Sequence, residues 1–310
     1  MNQDKVYDLV VIGAGPAALT AAIYTTREDI ETLLIEKGAI GGMASVTDLI
    51  DNYPGFSKGI SGLELSDELS KQAERFGTKI EYDQINSIKD EGKYKLLQGE
   101  INQYRAKTVL IATGTDYKKI DVPGEKEYLS RGVHYCATCD GAFYRDKPIA
   151  VVGGGNSAVQ ETLFLTRYAS SIDLLVRSTI KASDVLIKEL QRHIDSGKVK
   201  VHLKTTINQI KGENNLVNKI EINQDGEVSD LNVDGVFIFV GLLPNTAFLK
   251  GLIDLDDRNF IKTNLNLETN LPGVFAAGDV RSGATMQIAS ASGEGATAAL
   301  KIREYLEKNK

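Results

Sequence analysis

The sequence predicts an α/β fold in two units, and three observations carry that expectation. A short β-rich run enters a glycine-rich turn and then an apolar helical stretch at residues 7–24, and the same order returns at residues 148–168. The 310 residues are more than one hydrophobic core usually serves. The chain's two cysteines fall together between the two units, as Cys136-Ala137-Thr138-Cys139.

Composition narrows the class. With 42% hydrophobic and 25% charged residues this is an ordinary soluble globular chain. A formal net charge of −6 and the lack of any Lys/Arg-rich run argue against a nucleic-acid partner. The longest apolar stretches, such as residues 233–243, are too short or too interrupted to span a bilayer. The apolar run Leu9-Val10-Val11-Ile12 passes straight into Gly13-Ala14-Gly15 instead of forming the core of a signal peptide. A cytoplasmic location is expected, where thiols stay reduced and a close cysteine pair is usually catalytic.

In chain order, residues 7–12 read as a strand, Gly13-Ala14-Gly15-Pro16-Ala17-Ala18 as a G-x-G-x-x-A turn, and residues 19–24 as the helix after it. In that context the glycines let the backbone approach a pyrophosphate seated on the helix N-terminus. The next strand, residues 31–35, ends in Glu36, where an acid accepts a hydrogen bond from a ribose hydroxyl. Gly41-Gly42-Met43 and residues 51–56 read as loops. Ser61 and Glu64 form a capping box that opens a helix with apolar positions Leu63, Leu65, Leu69, Ala73 and Phe76. Short strands are expected at residues 79–83, 85–88 and 93–97. A buried strand from Lys107 leaves through Ala112-Thr113-Gly114, and Pro123-Gly124 makes a turn.

Two residues between cysteines is the spacing at which a short disulfide closes at the start of a helix. There unpaired backbone N–H groups stabilise a thiolate. Asp140, directly after Cys139, supplies a proton donor or acceptor. A structural zinc needs four nitrogen or sulfur ligands, and beyond the pair the chain offers only His134, His193 and His202. A purely structural disulfide closing so small a loop stabilises little. Redox chemistry is the expected role.

In the second unit, residues 148–152 lead into Gly153-Gly154-Gly155-Asn156-Ser157-Ala158 and a helix through residues 160–168. Its second strand, residues 171–176, ends in Arg177 where the first unit has Glu36. An acid at that place repels a 2′-phosphate, whereas a guanidinium clamps one bidentately, and Lys181 adds a second positive charge. The first unit is therefore expected to take a dinucleotide with free ribose hydroxyls and the second one carrying a phosphate. More strands are expected at residues 199–203, 219–223 and 233–240. Residues 271–279 give a turn, a short buried strand and Asp279, placed to accept from a flavin polyol or to cap the final helix. That helix, residues 287–306, is Ala-rich, with Gly293 and Gly295 permitting close approach.

Residues 13–18, Cys136-Ala137-Thr138-Cys139-Asp140-Gly141, residues 153–158 and residues 273–279 occur in an order that resembles the bacterial low-molecular-weight thioredoxin reductases over essentially the whole chain. The resemblance implies two Rossmann-like three-layer (ββα) dinucleotide-binding domains, the second inserted in the first. Residues 1–116 and 246–310 then bind FAD, and residues 117–245 bind NAD(P)H and carry the cysteine pair. It places Gly13, Gly15, Pro16, Ala17, Ala18, Glu36, Lys37, Gly42, Met43, Asn52, Ala112, Thr113, Gly114, Gly278 and Asp279 around FAD, with Gln287 and Ile288 near the isoalloxazine. It places Gly153, Gly155, Asn156, Ser157, Ala158, Arg177 and Lys181 around the pyridine nucleotide. Cys139 faces the flavin, Cys136 attacks the disulfide of thioredoxin, and Asp140 manages the proton. The implied enzyme is a homodimeric thioredoxin-disulfide reductase that passes electrons from NADPH through FAD and the cysteine pair. Its two domains rotate at residues 115–121 and 241–248.

The chain departs from that pattern twice. NADPH-dependent members carry H-R-R-x-x-x-R where this chain has Val176-Arg177-Ser178-Thr179-Ile180-Lys181, which keeps two of the basic positions. NADH, ferredoxin or another donor stays open beside NADPH, as does a flavin-binding redox sensor without turnover. Met286 stands where the family commonly has Arg.

Overall fold

A computed structural model describes residues 5–47 and 49–309. The chain forms two compact units, Met1–Asp116 with Leu243–Lys310, and Tyr117–Leu242. The sequence places the return crossing at 245/246; residues 243–245 group instead with the first unit. Asn245 shows why, since its side chain donates to the Thr113 carbonyl and its own carbonyl accepts from the Thr113 hydroxyl.

The first unit contains β1 (Val6–Ile12), α1 (Pro16–Thr26), β2 (Thr32–Glu36), α2 (Gly62–Arg75), β3 (Lys79–Tyr82), β4 (Ile85–Asp90), β5 (Lys95–Gly99) and β6 (Gln103–Ile111). After β7 (Thr115–Tyr117) the chain leaves; it returns through β16 (Leu242–Pro244), which pairs with β7, and adds β17 (Val274–Ala276) and α6 (Ile288–Lys308). The sheet runs β3-β2-β1-β6, parallel throughout, and then β6 divides its free edge. Its first half pairs antiparallel with β5, which continues to β4, while its last residues pair parallel with β17. Parallel strands covered on both faces need continuous apolar runs, and Leu9, Val10, Val11, Leu33 and Leu34 are fully buried. Helices α1 and α6 pack on one face around Leu9, Val11, Leu34 and Leu110, and the other face buries Val10, Ile12, Leu33 and Val109.

The second unit contains β8 (Val133–His134), α3 (Ala137–Asp140), β9 (Pro148–Val152), α4 (Asn156–Leu165), β10 (Ser171–Val176), α5 (Asp184–Asp195), β11 (Val199–Leu203), β12 (Thr205–Glu213), β13 (Leu216–Gln224), β14 (Glu227–Asn232) and β15 (Gly235–Ile238). Its parallel sheet has the order β11-β10-β9-β15-β8, and β12-β13-β14 form an antiparallel meander. Ile149, Val151 and Phe237 pack with Val159, Leu165 and Leu190 of the helices on one face of that sheet. Ala150, Val152 and Val236 pack with Ile207, Ile210 and Ile220 of the meander on the other. Helices, parallel sheet and meander are the expected three layers, and the second unit is inserted in the first.

Local expectations are met where the chemistry is local. Ser61 Oγ accepts from the Glu64 amide at 3.2 Å and the Ser61 amide donates to Glu64 Oε2 at 3.2 Å, the reciprocal box that opens α2. Leu63, expected on the apolar face, is 70% exposed. It stands two residues before buried Leu65, about 200° around the helix, so both cannot face the core. Gly41-Gly42-Met43, expected as loop, runs into a 3₁₀ turn over Gly42–Val46, and α4 begins and ends earlier than residues 160–168. Helix α5 and strands β12 and β14 have no counterpart in the sequence reading. The apolar residues of α5 recur at 186, 187, 190 and 194, a helical period present in the sequence, whereas β14 is exposed along almost its whole length and shows none.

Of the two glycines expected to allow close approach in α6, Gly295 does so and Gly293 has open space around it. A Cβ on Gly295 would lie 2.2 Å from the Ala17 carbonyl oxygen of α1. Replacing a helical glycine by alanine gains about 1 kcal/mol of helix propensity, but overpacking against rigid backbone costs about 1–3 kcal/mol. With a contact as close as 2.2 Å the cost lies at the upper end, so Gly295→Ala is expected to lower stability by up to about 2 kcal/mol net, read from the midpoint of urea unfolding; a raised midpoint refutes the tight crossing.

Candidate functional site

In the first unit the end of β1 is tied to its neighbour before α1 starts. The Gly13 amide donates to the Ile35 carbonyl at 2.8 Å. Gly13 has φ +107°, and a Cβ there would lie 2.4 Å from the Ala112 carbonyl oxygen, so only glycine fits. Gly15 precedes α1 without a side-chain cap, Pro16 opens the helix, and Ala17 and Ala18 are buried beneath it. The first-turn amides of α1 are therefore free for an anionic ligand. Glu36 takes the Ala14 amide on Oε2 and the Gly38 amide on Oε1, both at 2.7 Å, which fixes its carboxylate at the turn. Lys37 after it is exposed. The Gly41 amide donates to the Ala14 carbonyl, which brings Gly42 within reach of Gly15, and Met43 is 41% exposed in the 3₁₀ turn. Ala112, Thr113 and Gly114 follow β6 beside Gly13, with Asn245 bound to Thr113 and, through its amide, to the Gly114 carbonyl at 3.1 Å. No sequence signal marked Asn245 as part of this site.

Two further groups arrive from the end of the chain. Gly278 follows β17 with its Cα side against Ala17, and Asp279 comes next. Asp279 does not cap the final helix: α6 begins nine residues later with Gln287 at its N-cap and Ile288 as its first residue. Among the described residues nothing hydrogen-bonds the Asp279 carboxylate. Burial, and secondarily the nearby Glu294 carboxylate, lift its pKa from 3.8 to about 6. A withdrawn carboxylate without a donor suits a ligand that brings hydroxyl donors, such as a polyol. Gln287 accepts a 3.2 Å hydrogen bond from Asn52, so these two expected residues meet. Met286 holds them there in a left-handed conformation, φ +57°, unusual for a non-glycine residue, and its carbonyl accepts from the Gln287 amide group.

The second unit repeats the device. The Gly153 amide donates to the Leu175 carbonyl at 3.0 Å, and with φ +145° a Cβ on Gly153 would lie 2.5 Å from the Phe239 carbonyl oxygen. Gly155 precedes α4, again without a side-chain cap; Asn156 and Ser157 are exposed at its start and Ala158 is buried. The loop after β10 is pinned to this turn. The Lys181 amide donates to the Gly154 carbonyl at 2.6 Å, and Asn156 Oδ1 accepts from the Ser183 amide at 2.8 Å. Arg177 and Lys181 are both exposed on that loop, and among the described residues neither cation has a side-chain partner. The residues fit a nucleotide whose phosphates meet the helix start and whose ribose carries further negative charge.

In the same unit Cys136 and Cys139 form a disulfide with Cα atoms 5.3 Å apart. Cys136 is the N-cap of the short helix α3, and its sulfur accepts from the Cys139 amide at 3.1 Å. Both cysteines are half-buried, while Ala137 between them is fully buried and anchors the turn. His134 is no metal ligand: its ring nitrogens meet Asp140 and Tyr144.

A disulfide on a helical turn, placed in the second of two units that each carry a dinucleotide-type turn, defines a class of redox enzyme. Residues 7–295 match the pyridine nucleotide-disulphide oxidoreductase family, and the chain belongs to it. The relatives are more particular. A thioredoxin reductase of Bacillus subtilis is 42% identical over 99% of this chain and 97% of its own length. The crystal structure of thioredoxin reductase from Streptococcus pyogenes has a TM-score of 0.92 at 40% identity, covering 98% of this chain and 99% of that one. Thioredoxin reductase from Giardia duodenalis has a TM-score of 0.91 at 30% identity, covering 98% of this chain and all of that one. The cofactors of such an enzyme are FAD and NADPH. Among the described residues no helix is long and apolar enough to cross a membrane.

The raised pKa of Asp279 makes a prediction for the FAD-free protein. A carboxyl that binds its proton more tightly when folded weakens the fold as pH rises from about 4 to about 6, and the penalty persists above that. Asp279→Asn should therefore stabilise the apoprotein at pH 8 by on the order of 2 kcal/mol, but hardly at pH 4. Urea unfolding at the two pH values checks this. The same variant should lose FAD during gel filtration.

Proposed function

We propose that this chain is an FAD-dependent thioredoxin-disulfide reductase that draws its electrons from NADPH. The observation that carries the reading is the Cys136–Cys139 disulfide on its helical turn, within the unit that also holds the Gly153–Arg177–Lys181 turn. In this reading residues 1–116 and 243–310 form the FAD domain, and residues 117–242 the NADPH domain. The enzyme is a cytoplasmic homodimer, and its protein substrate is thioredoxin.

Bound FAD supplies a two-electron relay between a hydride donor and the disulfide. The chain does the rest. The first-turn amides of α1 hold the pyrophosphate of FAD, Glu36 and Asp279 accept from its ribose and ribityl hydroxyls, and Gln287 with Asn52 borders the ring. The start of α4 holds the pyrophosphate of NADPH, and Arg177 and Lys181 hold its 2′-phosphate. Their exposure without partners supports this, because a surface cation already paired gains less from a phosphate. Cys139 receives the electrons. Cys136 becomes the attacking thiolate, a role that suits the sulfur already accepting an amide hydrogen bond. Asp140 carries the proton.

Anaerobic titration of the yellow protein tests the donor. NADPH is expected to bleach the flavin at far lower concentration than NADH. Bleaching by dithionite but by neither nucleotide refutes the NADPH reading and points to ferredoxin or another donor. Arg177→Ala with Lys181→Ala should raise KM for NADPH by about 10–100-fold and leave KM for NADH nearly unchanged, since charge-assisted hydrogen bonds contribute about 1.5–3 kcal/mol. Cys136→Ser and Cys139→Ser should each abolish thioredoxin reduction in the steady-state assay while NADPH still bleaches the flavin. Turnover surviving either change removes the pair from the mechanism.

A further inference from the structure

We propose that His134 and Tyr144 are positioning residues for the thiol–disulfide step, holding the Asp140 carboxylate as proton carrier of the Cys136–Cys139 pair; this rests on the disulfide-reductase reading above. His134 lies on β8, two residues before Cys136, and Tyr144 closes the 3₁₀ turn Gly141–Tyr144 that follows Asp140. Each is 7% exposed. His134 Nδ1 lies 3.2 Å from Asp140 Oδ2, and its Nε2 lies 2.7 Å from the Tyr144 hydroxyl. The imidazole is clamped on its faces too, stacked on Phe237 and edge-on to Tyr144, with centroids 5.2 Å away in both cases. With Nε2 bonded to Tyr144, Nδ1 against the Asp140 carboxylate and one face stacked on Phe237, the ring is fixed in place, and the carboxylate beside it is confined as well.

The protons in this chain have one arrangement with the neutral imidazole. An ionised carboxylate only accepts, so Nδ1 carries the hydrogen, Nε2 accepts, and the Tyr144 hydroxyl donates. Tyr144 keeps its proton, because burial and then the Asp140 and Asp234 carboxylates push its pKa up. In that arrangement Nδ1 faces Asp140 Oδ2, and Oδ1, which no described residue engages, is left for a proton that Asp140 picks up. The other charged groups at hand are Asp234, Lys147, whose Nζ is 5.8 Å from the Tyr144 ring centroid, and Glu161, the one titratable side chain of α4. None of them takes part in the chain from Tyr144 to Asp140.

The step balances as follows. Two electrons and one proton break the Cys136–Cys139 bond into a thiolate and a thiol. The Cys136 thiolate attacks the substrate disulfide and a mixed disulfide forms; Asp140 takes the proton of the Cys139 thiol and gives it to the displaced substrate thiolate. The Cys139 thiolate then closes on the Cys136 sulfur, breaking the mixed disulfide, and the second released substrate thiolate is protonated by water. A carboxylate that must take and then give a proton within one encounter gains most from being held in one orientation.

The test uses full-length holoenzyme carrying His134→Phe, His134→Asn, Tyr144→Phe, Asp140→Asn, and Asp140→Asn with His134→Phe. Flavin bleaching by NADPH should stay within about 2-fold of wild type in His134→Phe, His134→Asn and Tyr144→Phe, while kcat for thioredoxin falls about 10-fold in His134→Phe and about 3-fold in Tyr144→Phe. Asparagine can place its amide nitrogen where Nδ1 stood, so His134→Asn should recover most of the loss. Because His134 acts through Asp140, adding His134→Phe to Asp140→Asn should cost nothing further. Losses that multiply in the double variant, or a His134→Asn no better than His134→Phe, overturn the proposal. A second readout needs neither nucleotide nor thioredoxin: iodoacetamide alkylation of the dithiothreitol-reduced pair as a function of pH. Its profile should move alike in His134→Phe, Asp140→Asn and the double variant, and separate shifts refute the coupling. If wild type fails to reduce thioredoxin, the functional reading falls while the alkylation cycle still decides the role of His134.

Discussion

Each unit depends on a parallel strand that must stop, turn and start a helix while its last amide stays bonded to the next strand. The Gly13 and Gly153 amides make that bond to Ile35 and Leu175, and the carbonyls of Ala112 and Phe239 leave no space for a side chain. Once this is fixed, the helix start faces outward uncapped, and the end of the second strand comes to the rim of the turn. What that strand ends in then differs between the units. Glu36 uses both oxygens on its own turn's amides and stands buried, whereas Arg177 projects into solvent on a loop tied to Gly154. The same backbone thus presents an acceptor in one unit and cations in the other.

The acidic residues of the first unit divide the work. Glu294 is committed to the fold, accepting from the Gly278 amide and pairing with Arg281 at 2.6 Å. Asp279 beside it is left without a donor, and the repulsion between the two raises its proton affinity further. A half-buried carboxylate in that condition costs stability unless something brings it a hydrogen bond. Met286 adds to the strain: its left-handed backbone carries Gln287 to Asn52 at a cost of about 1 kcal/mol.

The redox pair is built differently. It rests on a helix of four residues, Ala137–Asp140, far too short to be stable by itself, and it owes its shape to what lies beneath. Ala137 is sealed in the core, Gly141 leaves only 2.8 Å between an added Cβ and Leu165, and His134 and Tyr144 brace Asp140 from the side. The surrounding packing makes the turn rigid, while the sulfurs remain half-exposed and able to react.

Much of this was legible in the chain because it depends on neighbours in sequence. The glycine turns, the Ser61–Glu64 capping box, the buried strands and the Cys136–Cys139 spacing are all set within a few residues. The acid or base at positions 36 and 177 follows from strand length alone. The exposed strand β14 has no period and was not legible, nor was the outward phase of Leu63, whereas α5 carries its apolar stripe openly at residues 186, 190 and 194. Tertiary structure alone decided the pairings that join distant residues: Asn245 with Thr113, Asn52 with Gln287, Gly295 against Ala17, and Tyr144 through His134 to Asp140. A hydrogen bond or contact between such residues leaves no mark in local composition, because either partner is an ordinary residue until the sheet order and the helix crossings bring them together.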